Sequence, residues 1–307
     1  MKAAVAFAIL GLVACGPSGR HGGGGDDGGD DDTTVDAPPG EKRQCNKMDI
    51  VFVVDDSGSM QEEQTNLATN FPMFANLLAT YTTSEGDPID FRIGLTTTGR
   101  DVSYSIVVGG QTITMNEMGA NGAFRNNCNI NKRWLEPSDP NMQQALACRA
   151  KVGTSGPSIE MPMLMTRFAL SERVADGTNA NFLRNDALLA VVMITDEDDA
   201  STTQNNFQMS LSGATPVDFN PPDMVSFLDN VKGNRSRWAS AVIAGDGNCS
   251  SAFGEASNAA RLKQFVQLAN GNGTTQAVFS SICAGDLTTP LKAALDLFQQ
   301  ACGNIVL

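Results

Sequence analysis

Two apolar runs that each end at an acidic residue constrain the fold of this chain more than any other feature. Residues 48–54 (MDIVFVV) and 188–194 (LLAVVMI) are rich in β-branched side chains, as is typical of strands that are buried on both faces. The first run leads directly into Asp55, and the second leads, after one threonine, into Asp196. Because such strands occur mainly in parallel sheets covered by helices, the two runs predict an α/β fold.

Helical patterns alternate with further strand-like runs through residues 46–303. Leu67, Phe71, Phe74 and Leu78 follow the first strand with the spacing of one helix face. We predict strands at residues 89–97, 238–244 and 276–282, a hairpin at residues 104–108 and 111–114, and helices at residues 141–150, 158–169, 222–231, 258–268 and 289–302. The alternation predicts a Rossmann-like, mostly parallel central sheet in a three-layer domain over residues 45–307. Ligands bind such sheets at the carboxyl ends of the strands.

The first residues of the chain have the features of an export signal. Residues 1–14 combine Lys2 with an apolar run that is too short to span a bilayer as a helix. The run ends in Leu-Val-Ala followed by Cys15, which resembles a bacterial lipobox and implies lipidation of Cys15; the alternative is an ordinary secretory signal. Residues 15–44 then predict a flexible Gly/Asp-rich linker. In well-studied bacteria, an aspartate directly after the lipidated cysteine retains a lipoprotein in the inner membrane. Because Gly16 occupies this position, we expect a lipid-anchored protein of the cell envelope, in the outer membrane.

Charge and histidine content exclude several classes of function. The formal net charge is −13, which argues against nucleic acid as a partner because phosphate binding needs concentrated Lys and Arg. The single histidine, His21, lies in the linker. A catalytic triad or a zinc site that uses histidine therefore has no histidine available within the predicted domain.

Six cysteines remain in the chain after Cys15. Export places them in an oxidising compartment, so three disulfides are expected, although six cysteines allow 15 connectivities. No CxxC spacing supports the alternative of a thiolate metal site. The predicted architecture favours one bond that joins the ends of the domain, one within a local excursion, and one between the loops after the last two strands. These bonds are Cys45–Cys302, Cys128–Cys148 and Cys249–Cys283.

Oxygen-bearing side chains gather at the predicted strand ends. Asp55, Ser57 and Ser59 alternate after the first strand, and Asp196 follows a later strand. This arrangement resembles the metal-ion-dependent adhesion site of von Willebrand factor type A domains, and the resemblance covers residues 46–303. In that family a threonine in a loop before a helix completes the site, and Thr154 matches it best. The alternatives for that position are Thr97 and Ser158.

The resemblance implies a bound Mg²⁺, or Mn²⁺ or Ca²⁺ in its place. Magnesium prefers six oxygen ligands, and neutral hydroxyl ligands leave the metal able to accept a carboxylate from a protein partner. Ser57 and Ser59 have an alternative role, since serine also caps helices. Further acids lie beside the site, and they predict either a second cation site or solvated surface charge. They are Asp56, Glu197, Asp198 and Asp199.

We predict a binding module and not an enzyme. The expected function is metal-dependent adhesion or assembly with a protein partner. One alternative is a structural envelope component with a vestigial metal site. Another is a phosphoryl-transfer or hydrolytic enzyme, for which Asp55-Asp56 is suggestive, but no strand-end lysine accompanies the pair. Trp134 is predicted to be either a partner contact or a local packing anchor.

Overall fold

The computed structural model describes residues 45–83, 86–252 and 254–305, which form one folded unit of the chain. Its strands, numbered along the chain, are β1 (Lys47–Val54), β2 (Asp90–Thr97), β3 (Val102–Val108), β4 (Gln111–Glu117), β5 (Trp134–Leu135), β6 (Leu188–Ile194), β7 (Asn206–Gln208), β8 (Trp238–Ala244), β9 (Cys249–Ser251), β10 (Gly254–Ala256) and β11 (Ala277–Ser281). Its α-helices are α1 (Gln61–Ala79), α2 (Met142–Ala150), α3 (Pro162–Leu170), α4 (Glu172–Ala175), α5 (Pro221–Lys232), α6 (Ala260–Ala269) and α7 (Thr288–Gly303).

A six-stranded sheet in the order β11-β8-β6-β1-β2-β5 forms the centre. All its neighbouring strands are parallel except β2 and the short edge strand β5, which are antiparallel. Residues 48–54 of β1 and the whole of β6 are buried. The predicted fold class is therefore confirmed, because only a sheet covered on both faces buries such apolar strands completely.

Alternate side chains of β1 enter two separate cores. Ile50 and Phe52 pack in one cluster with residues of α1, α2 and α7. Val51 and Val53 pack in the other cluster with residues of α3, α5 and α6. Since successive strand residues point to opposite faces, the two clusters place one helical layer on each side of the sheet, which gives the predicted three layers.

Two small sheets lie outside the central one. Strands β4, β3 and β7 form one of them, and β9 pairs with β10 in the other. The β3–β4 hairpin confirms the predicted hairpin, and Gly109 and Gly110 form its turn with φ of 60° and 80°. Positive φ at both turn residues is the conformation that glycine supplies without strain.

The structure contains the three disulfides that the sequence predicts. Cys45 is bonded to Cys302, which joins the start of β1 to the last helix. The Cys128–Cys148 bond closes a local excursion that includes α2. Finally, Cys249–Cys283 ties the β9–β10 hairpin to the loop after β11.

The helix predicted from Ser158 begins only at Pro162, so this boundary was wrong. Residues 158–161 bond other loops instead: Met161 N donates to Thr98 O at 3.0 Å, and Ala200 N donates to Glu160 O at 2.8 Å. A helix needs those same backbone groups for its own i to i−4 bonds. Pro162 suits the first helical position because it has no N–H to donate.

Trp134 belongs to β5, a strand that the sequence did not predict. Its ring is half-buried and lies 6.1 Å from the ring of Phe182, while the Arg92 guanidinium lies 5.5 Å from its centroid. These contacts agree with the packing interpretation of Trp134.

The predictions for residues 1–14, for Cys15 and for residues 16–44 lie outside the described residues. Within the described residues, no helix has both the length and the apolar character needed to cross a membrane.

Candidate metal site

Asp55 anchors the candidate site at the end of β1. Its side chain is fully buried, and its Oδ1 accepts hydrogen bonds from Ser57 N at 2.8 Å and from Thr98 Oγ1 at 3.3 Å. Its Oδ2 accepts a hydrogen bond from Thr195 Oγ1 at 2.7 Å. The backbone N of Asp55 also donates to Ile194 O at 2.9 Å. These bonds join the ends of β1, β2 and β6 and fix the direction of the Asp55 carboxylate.

Ser57, Ser59 and Asp196 lie together beside Asp55. The Ser57 and Ser59 hydroxyl oxygens are 3.0 Å apart, and the Ser59 hydroxyl lies close enough to the Asp196 carboxylate to lower its pKa. Asp196 is only 3% exposed, and its Oδ1 is buried with no hydrogen-bond partner among the residues that the structure describes. The structure therefore brings together four of the five predicted ligands, and it leaves one carboxylate oxygen of Asp196 unsatisfied.

The helix-cap interpretation of the two serines does not fit this geometry. Ser57 precedes a 3-10 turn at Gly58–Met60, but its side chain makes no capping hydrogen bond. Helix α1 follows, and Met60 at its N-cap makes no side-chain capping bond either. The Ser57 and Ser59 hydroxyls are directed at each other and, for Ser59, at Asp196, so the side chains of both serines belong to the site.

Negative charge is concentrated and poorly hydrated here. Burial raises the pKa of Asp55, although its hydrogen bonds with Thr195, Ser57 and Thr98 oppose the shift. Burial and then the charge of Asp55 raise the pKa of Asp196 to about 7. Two buried like charges disfavour each other's ionised form. A bound cation would favour the ionised form of both carboxylates and so lower both pKa values.

A divalent cation fits this donor set. Asp55, Ser57, Ser59 and Asp196 are the residues that would hold it, and all of them offer the oxygen ligands that Mg²⁺ and Ca²⁺ prefer. The unsatisfied Oδ1 of Asp196 is the specific evidence for the fit. Among the described residues, no three Asp, Glu, Cys or His side chains are placed to hold a metal by themselves. The serine hydroxyls are therefore needed to complete such a site.

Thr154, the fifth predicted ligand, lies in the loop that packs on Gly58 and Asp56. The Thr154 carbonyl oxygen would be 4.0 Å from a Cβ placed at Gly58, and Gly156 N donates to Asp56 O at 2.7 Å. The half-buried Thr154 hydroxyl makes no hydrogen bond to any described residue. The backbone of the loop thus borders the site, but the structure does not join the Thr154 side chain to it. Neither alternative is joined to the four ligands either, since Ser158 donates to Glu117 and the buried Thr97 hydroxyl lies near the Asp56 carboxylate, whose pKa it lowers.

The four additional acids near the site differ in burial and in hydrogen-bond partners. Asp56 is half-buried, and burial raises its pKa to about 6. Glu197 is exposed. Asp198 accepts from the backbone N of Arg261 and Leu262, near the start of α6.

Asp199 is buried at the start of a different helix. It accepts from Met163 N in the first turn of α3 at 3.0 Å, and from the backbone N and the hydroxyl of Ser201. Asp198 and Asp199 therefore satisfy backbone N–H groups in the first turns of α6 and α3, where a helix has unpaired donors.

Three residues that the sequence did not identify also belong to the site or are affected by its charge. Thr98 and Thr195 donate to Asp55, as described above. Glu160 is buried, and burial, followed by the charges of Asp55 and Glu197, raises its pKa to about 10. Thr98 and Thr195 follow predicted strand ends, and this position was the available signal. Glu160 carried no signal because it was expected to lie inside a helix.

The parallel sheet, its two helical layers and the adjoining Asp55 and Asp196 loops have the arrangement that the resemblance implies. The observed fold is a three-layer α/β fold with a mostly parallel central sheet.

Comparisons with known proteins give remote similarities of fold. No model of a known protein family matches the chain, and no curated protein matches it. Among solved structures, it is similar to the pilus adhesin SpaC from Lactobacillus rhamnosus GG, with 13% identity, a TM-score of 0.42, and coverage of 86% of this chain and 31% of that one. It is also similar to proximal thread matrix protein 1 from the mussel byssus with a zinc-occupied MIDAS motif, with 13% identity, a TM-score of 0.42, and coverage of 83% and 48%.

A third similar structure is the manganese-loaded TRAP protein of Plasmodium vivax, with 15% identity, a TM-score of 0.39, and coverage of 86% of this chain and 77% of that one. The chain thus spans less than half the length of the adhesin and of the byssus protein. At these identities, the similarity concerns the fold alone.

Proposed function

We propose that this chain is a cation-dependent protein-binding module. A divalent cation, Mg²⁺ or else Mn²⁺ or Ca²⁺, is held by Asp55, Ser57, Ser59 and Asp196, and an oxygen of a protein partner completes its coordination. The observation that carries the proposal is the buried, unsatisfied Oδ1 of Asp196 beside the Ser59 hydroxyl. An unpaired buried charge is costly, and a cation at this point removes that cost.

The hydroxyl groups support the part of the proposal that concerns the partner. Serine ligands are neutral, so they leave most of the charge of a divalent cation uncompensated. Such a cation accepts a further anionic oxygen, and in the form that the family resemblance implies, this ligand is an acidic side chain of the partner. Thr154 remains the proposed fifth ligand on the same resemblance.

We also propose binding in place of catalysis. The sequence has no histidine after His21, so a general base of the most common kind is absent from residues 45–307. Lipidation at Cys15, a flexible tether over residues 16–44 and an outer-membrane position complete the proposal. Together they describe a module held at the cell envelope, where a tethered domain can reach a protein partner.

Thermal unfolding in EDTA and in added Mg²⁺, Mn²⁺ or Ca²⁺ tests the cation. A ligand at 100 times its Kd that binds only the native state adds about 2.7 kcal/mol of stability, so we expect a clear rise in Tm with at least one cation. Asp196→Asn should abolish this rise. Asp229→Asn is the matched control, because its carboxylate bonds Arg235 and Trp238 instead. This control should lower Tm and still respond to the cation.

An unchanged Tm of the native chain in EDTA and in all three cations would refute cation binding. The partner requires a second experiment: capture from envelope extracts by the full chain, in Mg²⁺ and in EDTA, with Asp196→Asn in parallel. We expect a protein that is retained in Mg²⁺ and lost in both other samples. Retention that is equal in all three would show an interaction that does not use the cation.

A further inference from the structure

Strand β4 forms an exposed edge of the β4-β3-β7 sheet. Within the part of the chain that the structure describes, it pairs only with β3, and residues 111–116 are all exposed. Ile113 and Met115 are 43% and 42% exposed. Soluble proteins protect such edges with lysine, proline, inward-pointing charges or bulges. Residues 111–116 (QTITMN) contain no charged residue and no proline, so this edge is open to pairing with another strand.

The register of the hairpin shows which backbone groups of β4 are free. Val108 and Gln111 flank a two-residue turn and form the first pair of the ladder. In an antiparallel ladder that starts in this way, every second residue bonds the neighbouring strand. Residues 111, 113, 115 and 117 therefore bond β3, and Thr112, Thr114 and Asn116 direct their N–H and C=O groups outward. No described residue donates to or accepts from these outward groups.

The sequence of β4 is close to symmetric about Thr114. Thr112 and Asn116 lie two residues to either side, and Ile113 and Met115 lie one residue to either side. We propose that β4 pairs antiparallel with β4 of a second copy of this chain, about a two-fold axis at Thr114. This inference is independent of the metal site.

The proposed register satisfies backbone and side chains together. Thr112 faces Asn116 of the second copy and Thr114 faces its own counterpart, so the three residues with outward backbone groups form the hydrogen-bonded pairs. Ile113 faces Met115 of the second copy, and directly opposed apolar residues stabilise an antiparallel pair. A shift of one residue would face Thr114 against an apolar side chain and lose this match.

Charge and shape also agree with a second copy. The acidic end of β4, Glu117, would face the neutral Gln111 of the second copy, so no like charges are directly opposed despite the net charge of −13. Ile113 and Met115 pair across β3 with Ile106 and Tyr104, which belong to or pack on a hydrophobic core. Pairing would therefore extend that apolar face from one copy to the other. A two-fold contact of this kind closes on itself and stops at a dimer.

Disulfide trapping in the full chain tests the register. With Thr114→Cys, the two introduced cysteines would lie about 5.5 Å apart between Cα atoms, which a disulfide can bridge. Thr112→Cys is the matched control, since its counterpart would be about 14 Å away along the strand. We expect a dimer band on non-reducing gels for Thr114→Cys and at least a tenfold weaker band for Thr112→Cys. Equal bands, or no band for Thr114→Cys, would overturn the register.

Sedimentation over a range of protein concentrations tests the dimer without an added cysteine. The native chain should approach twice the monomer mass as concentration rises. Thr114→Pro removes an outward N–H and none of the N–H groups that bond β3, so it should fold and remain monomeric. Thr114→Val keeps the N–H and should dimerise. A native chain that stays monomeric, or a Thr114→Pro variant that dimerises like Thr114→Val, contradicts the proposal.

Discussion

The Cys45–Cys302 disulfide joins the two ends of the folded region, and its removal should cost more stability than removal of either other disulfide. A disulfide restricts the unfolded chain, and the loss of unfolded-state entropy grows with the logarithm of the closed loop. The sequence separation is 257 residues for Cys45–Cys302 and 20 for Cys128–Cys148. The same relation gives about 5.5 kcal/mol for the first bond and about 3.3 kcal/mol for the second.

Urea unfolding of two double variants at pH 7 measures the difference. One variant carries Cys45→Ala with Cys302→Ala, and the other carries Cys128→Ala with Cys148→Ala. We expect the first to lose about 2 kcal/mol more in the free energy of unfolding than the second. Its m-value should also rise more, because an unfolded chain released from a 257-residue loop exposes more surface.

The m-value separates this effect from packing in the native state. Cys45 and Cys302 are buried at 2% exposure, whereas Cys148 is exposed, so alanine removes native contacts mainly in the first variant. Lost packing lowers stability and leaves the m-value unchanged. Equal losses for the two variants, or a larger loss for the first with no rise in its m-value, would refute the unfolded-state explanation.

Three further predictions concern ionisation and close packing. Hydrogen bonds from Arg235 lower the pKa of Asp229, so Asp229→Asn should lose about 1 to 3 kcal/mol in urea unfolding at neutral pH, and the loss should shrink as pH falls below the unfolded pKa near 3.9. Burial lowers the pKa of Lys232 to about 8; the folded state therefore disfavours the charged form, and the native chain should gain up to about 3 kcal/mol relative to Lys232→Met as pH rises from 8 to 10.5. A Cβ at Gly156 would lie 2.2 Å from Asp56 Cγ, so Gly156→Ala should lower Tm and weaken cation binding measured calorimetrically, whereas Gly271→Ala, with open space at its Cβ, should change neither by much.

The central sheet could be predicted because the apolar composition of its main strands indicates that they are buried on both faces. Residues 48–54 and 188–194 are apolar at every position apart from Asp49, and only burial on both faces explains such a run. Asp49 is buried as well, but Arg184 pairs with it at 2.8 Å. The short strands β5, β7, β9 and β10 have two or three residues each, and a pattern of period two cannot be recognised over so few positions.

The disulfides could be predicted for a related reason. Once β1 and α7 are assigned, Cys45 lies just before the first strand and Cys302 near the end of the last helix, so these two cysteines mark the ends of the folded region. Cys128 and Cys148 are consecutive cysteines in the sequence. The start of α3 could not be predicted, because the apolar residues around Glu160 fit a helix locally. Hydrogen bonds from residues 158–161 to loops distant in sequence override that local preference.

The acidic run after β6 shows why the candidate site could be predicted only in part. Asp196, Asp198 and Asp199 have the same side chain within four positions, yet they face different surroundings. Asp198 and Asp199 meet helix N–H groups that lie 63 and 36 residues away along the chain. Asp196 meets Ser59 and retains an unsatisfied oxygen. No local pattern distinguishes the three, because the groups that orient each carboxylate come from distant segments. The spacing of oxygens can therefore locate a site of this kind at a sheet edge, but tertiary contacts decide which carboxylates remain free to bind a cation.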